Sequence, residues 1–323
     1  MNLPDLSLDA KALMLLYVRL SSGGEMPSLT GEEYHRLSGW LLERELKPAD
    51  LFDADTLDIY SDLPVAGIQP DRVRWLMNRG AALTMELEKW LSSGFWILSR
   101  EDADYPARAK EVLGRKAPLL MFGSGNPALL MDESVAIIGS RNLDESGQEF
   151  AFNLGAACAG AHLTVISGGA RGADSYGMRG ALENGGRVVG VLAGDLAKSA
   201  SSPETRQMIE ARRLTLIALH RPDVPFTVGG AMERNKVIYA LARATVIVSA
   251  EPDKGGTWAG AEENSRNWRV PAFIRQTPEL PGNQLILARG WGTAFPAAAL
   301  EDPRLLLDAG QDEATGGRQE ELL

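Results

Sequence analysis

The spacing of apolar positions changes near residue 94, and that change divides the chain. From Leu8 to Leu20 apolar residues recur at helical spacing, with Asp9 placed to cap the segment. Thr30 and Glu33 form a capping-box pair that starts a second helix running to about Leu46, with Pro48 as its stop. A third helical stretch is expected over Asp53 to Asp62. A fourth begins at Gln69 or Pro70 and is interrupted near Gly80. Trp40, Trp75 and Trp90 sit at helical spacing and read as core. His35 has no second ligand-type residue beside it and reads as an ordinary helix position. Residues 1–92 therefore predict a small all-helical domain.

From Gly94 short apolar runs replace the helical period. FWILS reads as a strand, REDADYPARAKEVL as a turn into a helix, and APLLMFGSGNPALL as a strand, a glycine turn and a short element. Six apolar runs then alternate with helices: VAIIGS, LTVIS, RVVGVLA, LTLIAL, ATVIVSAE and VPAFIR. The intervening helices are expected at 145–160, 173–184, 202–212, 233–241 and 257–268. Nearly continuous apolar strands separated by helices describe a parallel sheet covered on both faces. Right-handed crossovers make it doubly wound. The fold class is α/β, with a mostly parallel Rossmann-like sheet over residues 93–300 and the helical domain before it. Residues 301–323 are acidic and read as a disordered tail.

Composition narrows the class. The chain has 323 residues, 45% hydrophobic and 24% charged, as in a soluble globular protein. Its one cysteine, Cys158, lies among alanines in a helical stretch and reads as buried. The start shows no basic signal-type region and no apolar run is long enough to span a bilayer, so a cytoplasmic protein with no membrane contact is expected. The net charge of −10 argues against a generic polyanion binder. The acidity sits in the flanks, however, and residues 134–290 are close to neutral. A local basic groove is compatible with that distribution.

Chemistry-bearing residues collect at the strand ends, where doubly wound folds bind ligands. Gly139, Ser140 and Arg141 follow the first of the six strands. Ser167, Gly168, Gly169, Arg171, Gly172 and Asp174 follow the second. Three glycines in five positions with an internal arginine exceed what a turn alone needs. A helix N-terminus behind each loop favours an anion. Asp174 either caps its helix, bonds a sugar hydroxyl or orients Arg171. Arg234 and Asn235 open a later helix and suit phosphate and base contacts. Gly255, Gly256 and Thr257 form another anion nest. Trp258 reads as core or as a base-stacking surface. Glu262 and Glu263 read as a polar helix face or as a general-base pair. No P-loop, no GxGxxG after the first strand, no metal-ligand spacing and no nucleophile motif is present, so neither a cofactor nor a metal is expected.

Taken in order, GSR, SGGARGAD, GGRVVGVLAGD, MERNKVIYAL, GGTWAGA and PGNQLILARG resemble the DprA/Smf family of DNA-processing proteins. The upstream WILSREDADYPARAKEVLGRKAPLLMFGSGN is similar to that family's entry segment. The resemblance covers about residues 90–290. It implies single-stranded DNA binding without catalysis, a homodimer, RecA as a partner, and a sterile-alpha-motif-like module at the helical N-terminus. It also implies that Arg141, Gly168, Gly169, Arg171, Gly172, Arg234, Asn235, Gly256 and Thr257 line a phosphate pocket. Lys236 stands where the family has an arginine after the Arg-Asn pair. A second reading stays open on the same loops: a free nucleotide as ligand, with Glu262 or Glu263 as base in N-glycosidic hydrolysis.

Overall fold

The computed structural model describes residues 6–20, 26–53, 59–63 and 67–308. The chain forms two compact units, Met1–Tyr105 and Pro106–Leu323. The first holds helices α1 (Leu8–Tyr17), α2 (Gly31–Leu42), α3 (Ile59–Asp62), α4 (Pro70–Met77) and α5 (Gly80–Ser92), then strand β1 (Phe95–Ser99). Ser7, not Asp9, caps α1: its Oγ accepts the Ala10 N–H at 3.1 Å. The Asp9 carboxylate instead accepts the N–H of Ala49 at 2.8 Å. The capping box of α2 is complete, with Thr30 N–H donating to Glu33 at 2.8 Å and Glu33 N–H donating to Thr30 Oγ1 at 3.2 Å. That helix ends at Leu42 rather than near Leu46, because Glu45 turns into the left-handed region at φ 60°. Part of the expected third stretch, 54–58, lies outside the described residues. The fourth is two helices, parted at Asn78 and Arg79 just before Gly80. Trp40 and Trp90 are buried, while Trp75 is half-buried under the Arg79 guanidinium.

The second unit runs α6 (Ala107–Leu113), β2 (Leu120–Gly125), β3 (Ser134–Ile138), α7 (Glu145–Gly160), β4 (Thr164–Ser167), α8 (Ala173–Glu183) and β5 (Arg187–Leu192). It continues with α9 (Leu196–Ala200), α10 (Pro203–Glu210), β6 (Leu214–Ala218), α11 (Val228–Leu241), β7 (Ala244–Ile247), α12 (Gly255–Glu263), β8 (Ala272–Ile274), α13 (Pro281–Ala288) and β9 (Thr293–Ala294). Its strands form one sheet in the order β2-β6-β5-β4-β3-β7-β8-β9. All neighbours are parallel except β2, which runs antiparallel to β6. The six apolar runs are β3 to β8, and β3, β4, β6 and β7 are buried at every position. That burial on both faces is why they read as continuous apolar runs rather than alternating ones.

The small residues of α7 set how closely α8 approaches. A Cβ at Gly155 would stand 2.1 Å from the Gly177 carbonyl oxygen, and one at Gly180 would stand 2.0 Å from that of Phe152. Two helices differ most from expectation. α11 begins at Val228 rather than Glu233, capped by Thr227, whose Oγ1 accepts the Gly230 N–H at 2.9 Å. α12 ends at Glu263 and passes into a π turn over Asn264–Trp268. Cys158 is fully buried, and burial pushes its thiol up to about 12. In the acidic tail Leu306 is buried, and residues 309–323 lie outside the described residues. No helix among the described residues is long and apolar enough to cross a membrane.

Gly155→Ala should lower the chemical-denaturation midpoint by about 1–3 kcal/mol of stability at unchanged slope, since backbone must move to admit the methyl group. A second expectation concerns acid. Arg72 donates to Glu33 at 2.7 Å and holds its carboxyl well below the usual 4.5, at about 2. A carboxyl depressed in the folded state contributes stability that is present above its unfolded value and is lost as pH falls through the folded one. Glu33→Gln should therefore flatten the pH dependence of unfolding between about 4.5 and about 2, as read by urea titrations across that window.

Candidate nucleic-acid interface

The strand order reverses at β3, which has β4 on one side and β7 on the other. Connections leaving β3 and β7 part in opposite directions above the sheet, and the gap between them is where such folds take ligands. A cleft of about 480 Å³ lies there. The β3–α7 turn supplies Gly139, Ser140, Arg141 and Asn142. α11 supplies Arg234 and Asn235, and the β7–α12 turn supplies Lys254, Gly255, Gly256 and Thr257. The backbone ties these walls together. Ser140 N–H donates to Ser249 O at 2.8 Å, and Ala173 N–H donates to Ser140 O at 3.2 Å. Asn235 Nδ2 donates to Gly256 O at 3.2 Å. α12 opens into the cleft with no side-chain cap on its first turn, so its N–H groups and dipole favour an anion.

The β4–α8 loop is built differently from the open nest expected of it. Gly172, not Asp174, is the N-cap of α8. Asp174 is 4% exposed, and its Oδ2 accepts the N–H groups of Gly168 at 3.1 Å and Ala170 at 3.3 Å. The protein's own carboxylate fills this nest. Arg234, 8% exposed, reaches from the second turn of α11 to 3.8 Å from the same oxygen. Its guanidinium lies over Gly168, where a Cβ would come within 1.6 Å of Nη1. Burial pushes the Asp174 carboxyl up against the pull of Arg234, and burial pulls the Arg234 guanidinium down against the pull of Asp174. Desolvation thus outweighs the attraction on both sides of the pair.

The remaining loop residues serve the turn more than the cleft wall. Ser167 is fully buried and donates to Ile137 O at 2.6 Å. Gly169 and Gly172 take φ of 65° and 90° and shape the turn. Arg171 is exposed and donates to Asn142 Oδ1 at 3.4 Å, linking the two glycine loops outside the cleft lining. Lys236 also lies outside the lining. Trp258 is buried against Trp291 with ring centroids 5.2 Å apart and Arg289 over its face, so no base can stack on it. Tyr176 carries Arg179 over its ring and does not line the cleft. Glu262 pairs with Arg266 at 2.7 Å, and neither it nor Glu263 lines the cleft, which favours the polar helix face over the alternative of a general-base pair.

Three exposed apolar cleft residues escaped the sequence reading: Phe226, Val228 and Met232, at 47%, 74% and 44% exposure. They form an apolar lip at the start of α11. The signal was present in PFTVGGAM, where Phe226 and Val228 flank the cap residue Thr227. Placing the helix start at Glu233 hid it. The lip's loop is anchored by Asp195, the cap residue of α9, which accepts the Phe226 N–H at 3.2 Å. Arg141 stands over the Phe226 ring at 5.9 Å. Of the cleft cations, Arg234 is paired with Asp174 and Lys254 with Glu251, whereas Arg141 has no ion pair among the described residues. No group of three or more His, Cys, Asp or Glu that could hold a metal occurs among the described residues.

A doubly wound α/β unit with an anion-favouring cleft at its switch point defines a Rossmann-like ligand-binding protein. The match to a family model narrows this: residues 96–290 match the DNA recombination-mediator protein A family, and the chain belongs to it. A putative DNA processing protein DprA of Mycobacterium tuberculosis is 31% identical over 218 residues, covering 66% of this chain and 52% of that protein. The chain thus spans about half the length of that curated relative. DNA processing protein DprA of Streptococcus pneumoniae is 28% identical over 206 residues, 62% of this chain and 70% of the relative. Its X-ray structure superposes with a TM-score of 0.63 at 20% identity, covering 85% of this chain and 98% of that one. A Helicobacter pylori DprA structure, described for its single-stranded DNA binding mode, superposes with a TM-score of 0.55 at 22% identity, covering 66% and 97%. At that identity both superpositions speak to the fold.

Gly168→Ala should force the loop or Arg234 to shift and lower the thermal midpoint, at a cost of about 1–3 kcal/mol, as calorimetry would read it.

Proposed function

We propose that this chain binds single-stranded DNA in the cleft between β3 and β7, as a recombination mediator without catalytic activity or cofactor. The observation that carries the reading is Arg141: an exposed guanidinium without an acidic partner among the described residues, at a cleft mouth beside an exposed aromatic ring. Phosphates would meet Arg141 and the open first turn of α12, and a base would stack on Phe226. Stacking on an aromatic face needs no particular base, which suits a protein that must accept any incoming strand. Family membership and the strand-binding relative support the same ligand. A homodimer and delivery of the strand to RecA complete the reading, on the family resemblance alone. The free-nucleotide hydrolase reading loses its base, since Glu262 and Glu263 lie outside the cleft.

Fluorescence anisotropy with labelled oligothymidylate over a salt series tests this. Arg141→Ala should weaken binding ~10-fold and make the slope of log Kobs against log salt shallower by about 0.7, one phosphate contact's share on a single strand. Absence of strand binding by the wild type at low salt, or binding of mononucleotides alone, would reject the proposal.

A further inference from the structure

The expected phosphate nest of the β4–α8 loop is already occupied. Asp174 takes the Gly168 and Ala170 N–H groups on one oxygen, and that oxygen also lies 3.8 Å from Arg234. No water-exposed surface separates the pair, as Asp174 and Arg234 are 4% and 8% exposed. Both residues nevertheless line the cleft, so their combined field acts on whatever sits there. The guanidinium is laid over Gly168, where only a residue without Cβ leaves it room. Its Nε is buried with no hydrogen-bond partner among the described residues. The geometry sets Arg234 beside Asp174 and leaves Arg141 as the cleft arginine with no ion pair among the described residues.

We infer that Asp174 is a built-in anion that offsets Arg234 at the cleft floor and so limits how tightly the site holds phosphate. It acts as a positioning residue, through Arg234 and the loop amides, not as a ligand contact. A strand gripped by two unopposed guanidinium groups would leave slowly, whereas one gripped by Arg141 over an internally neutral floor can be handed on. This rests on the strand-binding reading for its biological sense, but its physical content concerns any phosphate.

The test is Asp174→Asn, which keeps an oxygen for the loop amides and removes the charge. Two probes are used, labelled oligothymidylate over a salt series and inorganic pyrophosphate by thermal shift. Removing a negative charge roughly 8 Å from the anion should tighten strand binding about thirtyfold at an effective dielectric near 20. The salt slope should steepen by about 0.7, one extra effective cation. Pyrophosphate should raise the variant's thermal midpoint more than the wild type's. Unchanged or weaker binding of both probes by a folded Asp174→Asn overturns the inference. If that variant does not fold, Asp174→Asn/Arg234→Gln leaves no unpaired buried charge. A salt slope equal to the wild type's then supports the offset, and one shallower by about 0.7 overturns it. A wild type that binds no strand while pyrophosphate still favours the variant rejects the strand-binding reading and leaves this inference standing.

Discussion

Everything at the site depends on the backbone pairing of β3 with β7. Their parallel register, Ile137 against Val246 and Ile138 against Ile247, carries on past the strands in the bond from Ser140 N–H to Ser249 O. Because β4 pairs the other edge of β3, the chain leaving β3 and the chain leaving β7 must diverge. Neither turn can close the gap without breaking ladder bonds between two fully buried strands, where an unpaired amide is costly. The cleft is thus a consequence of topology, and the glycine turns decide only how near a ligand comes to its walls.

Within that frame charge is arranged in two layers. The floor holds a buried, self-compensating pair, Asp174 and Arg234, whose members sit out of water because the loop amides of Gly168 and Ala170 share the carboxylate. Such pairs contribute little net stability but fix geometry, since losing one partner strands the other. The rim holds Arg141, exposed, with the apolar lip beside it. A rim charge mainly governs attraction and salt response, while a fixed floor governs fit.

Much of this was legible in the sequence, for identifiable reasons. The six strands were plain because burial on both faces leaves uninterrupted apolar runs. The helix α7 could be bounded at Glu145 and Gly160 because its small residues are required by the approach of α8. The capping box at Thr30 and Glu33 is a local device and reads locally. What failed to read was set by tertiary contacts. Asp174 looks like a cap from spacing alone, but its carboxylate turns inward to amides on its own loop. Arg234 looks like a helix-start cation, but α11 begins at Val228 and places it in the second turn, buried. Trp258 looks like a stacking surface until Trp291 and Arg289 cover it.

The acidity of the chain and a phosphate site are compatible on grounds of range. Charges exposed to water are largely screened beyond roughly 8 Å at physiological ionic strength. The flanking acids behind the net charge of −10 therefore act weakly on the cleft, where the open turn of α12 and Arg141 lie in direct reach of a ligand. The same acidity lowers attraction elsewhere on the surface, so a polyanion gains little except where cleft and lip fit it. A net basic protein would coat duplex and single strands alike. On the proposed strand-binding reading, an acidic one with one compensated cleft discriminates by geometry: an unstacked base would reach Phe226, and a base held within a duplex stack would not.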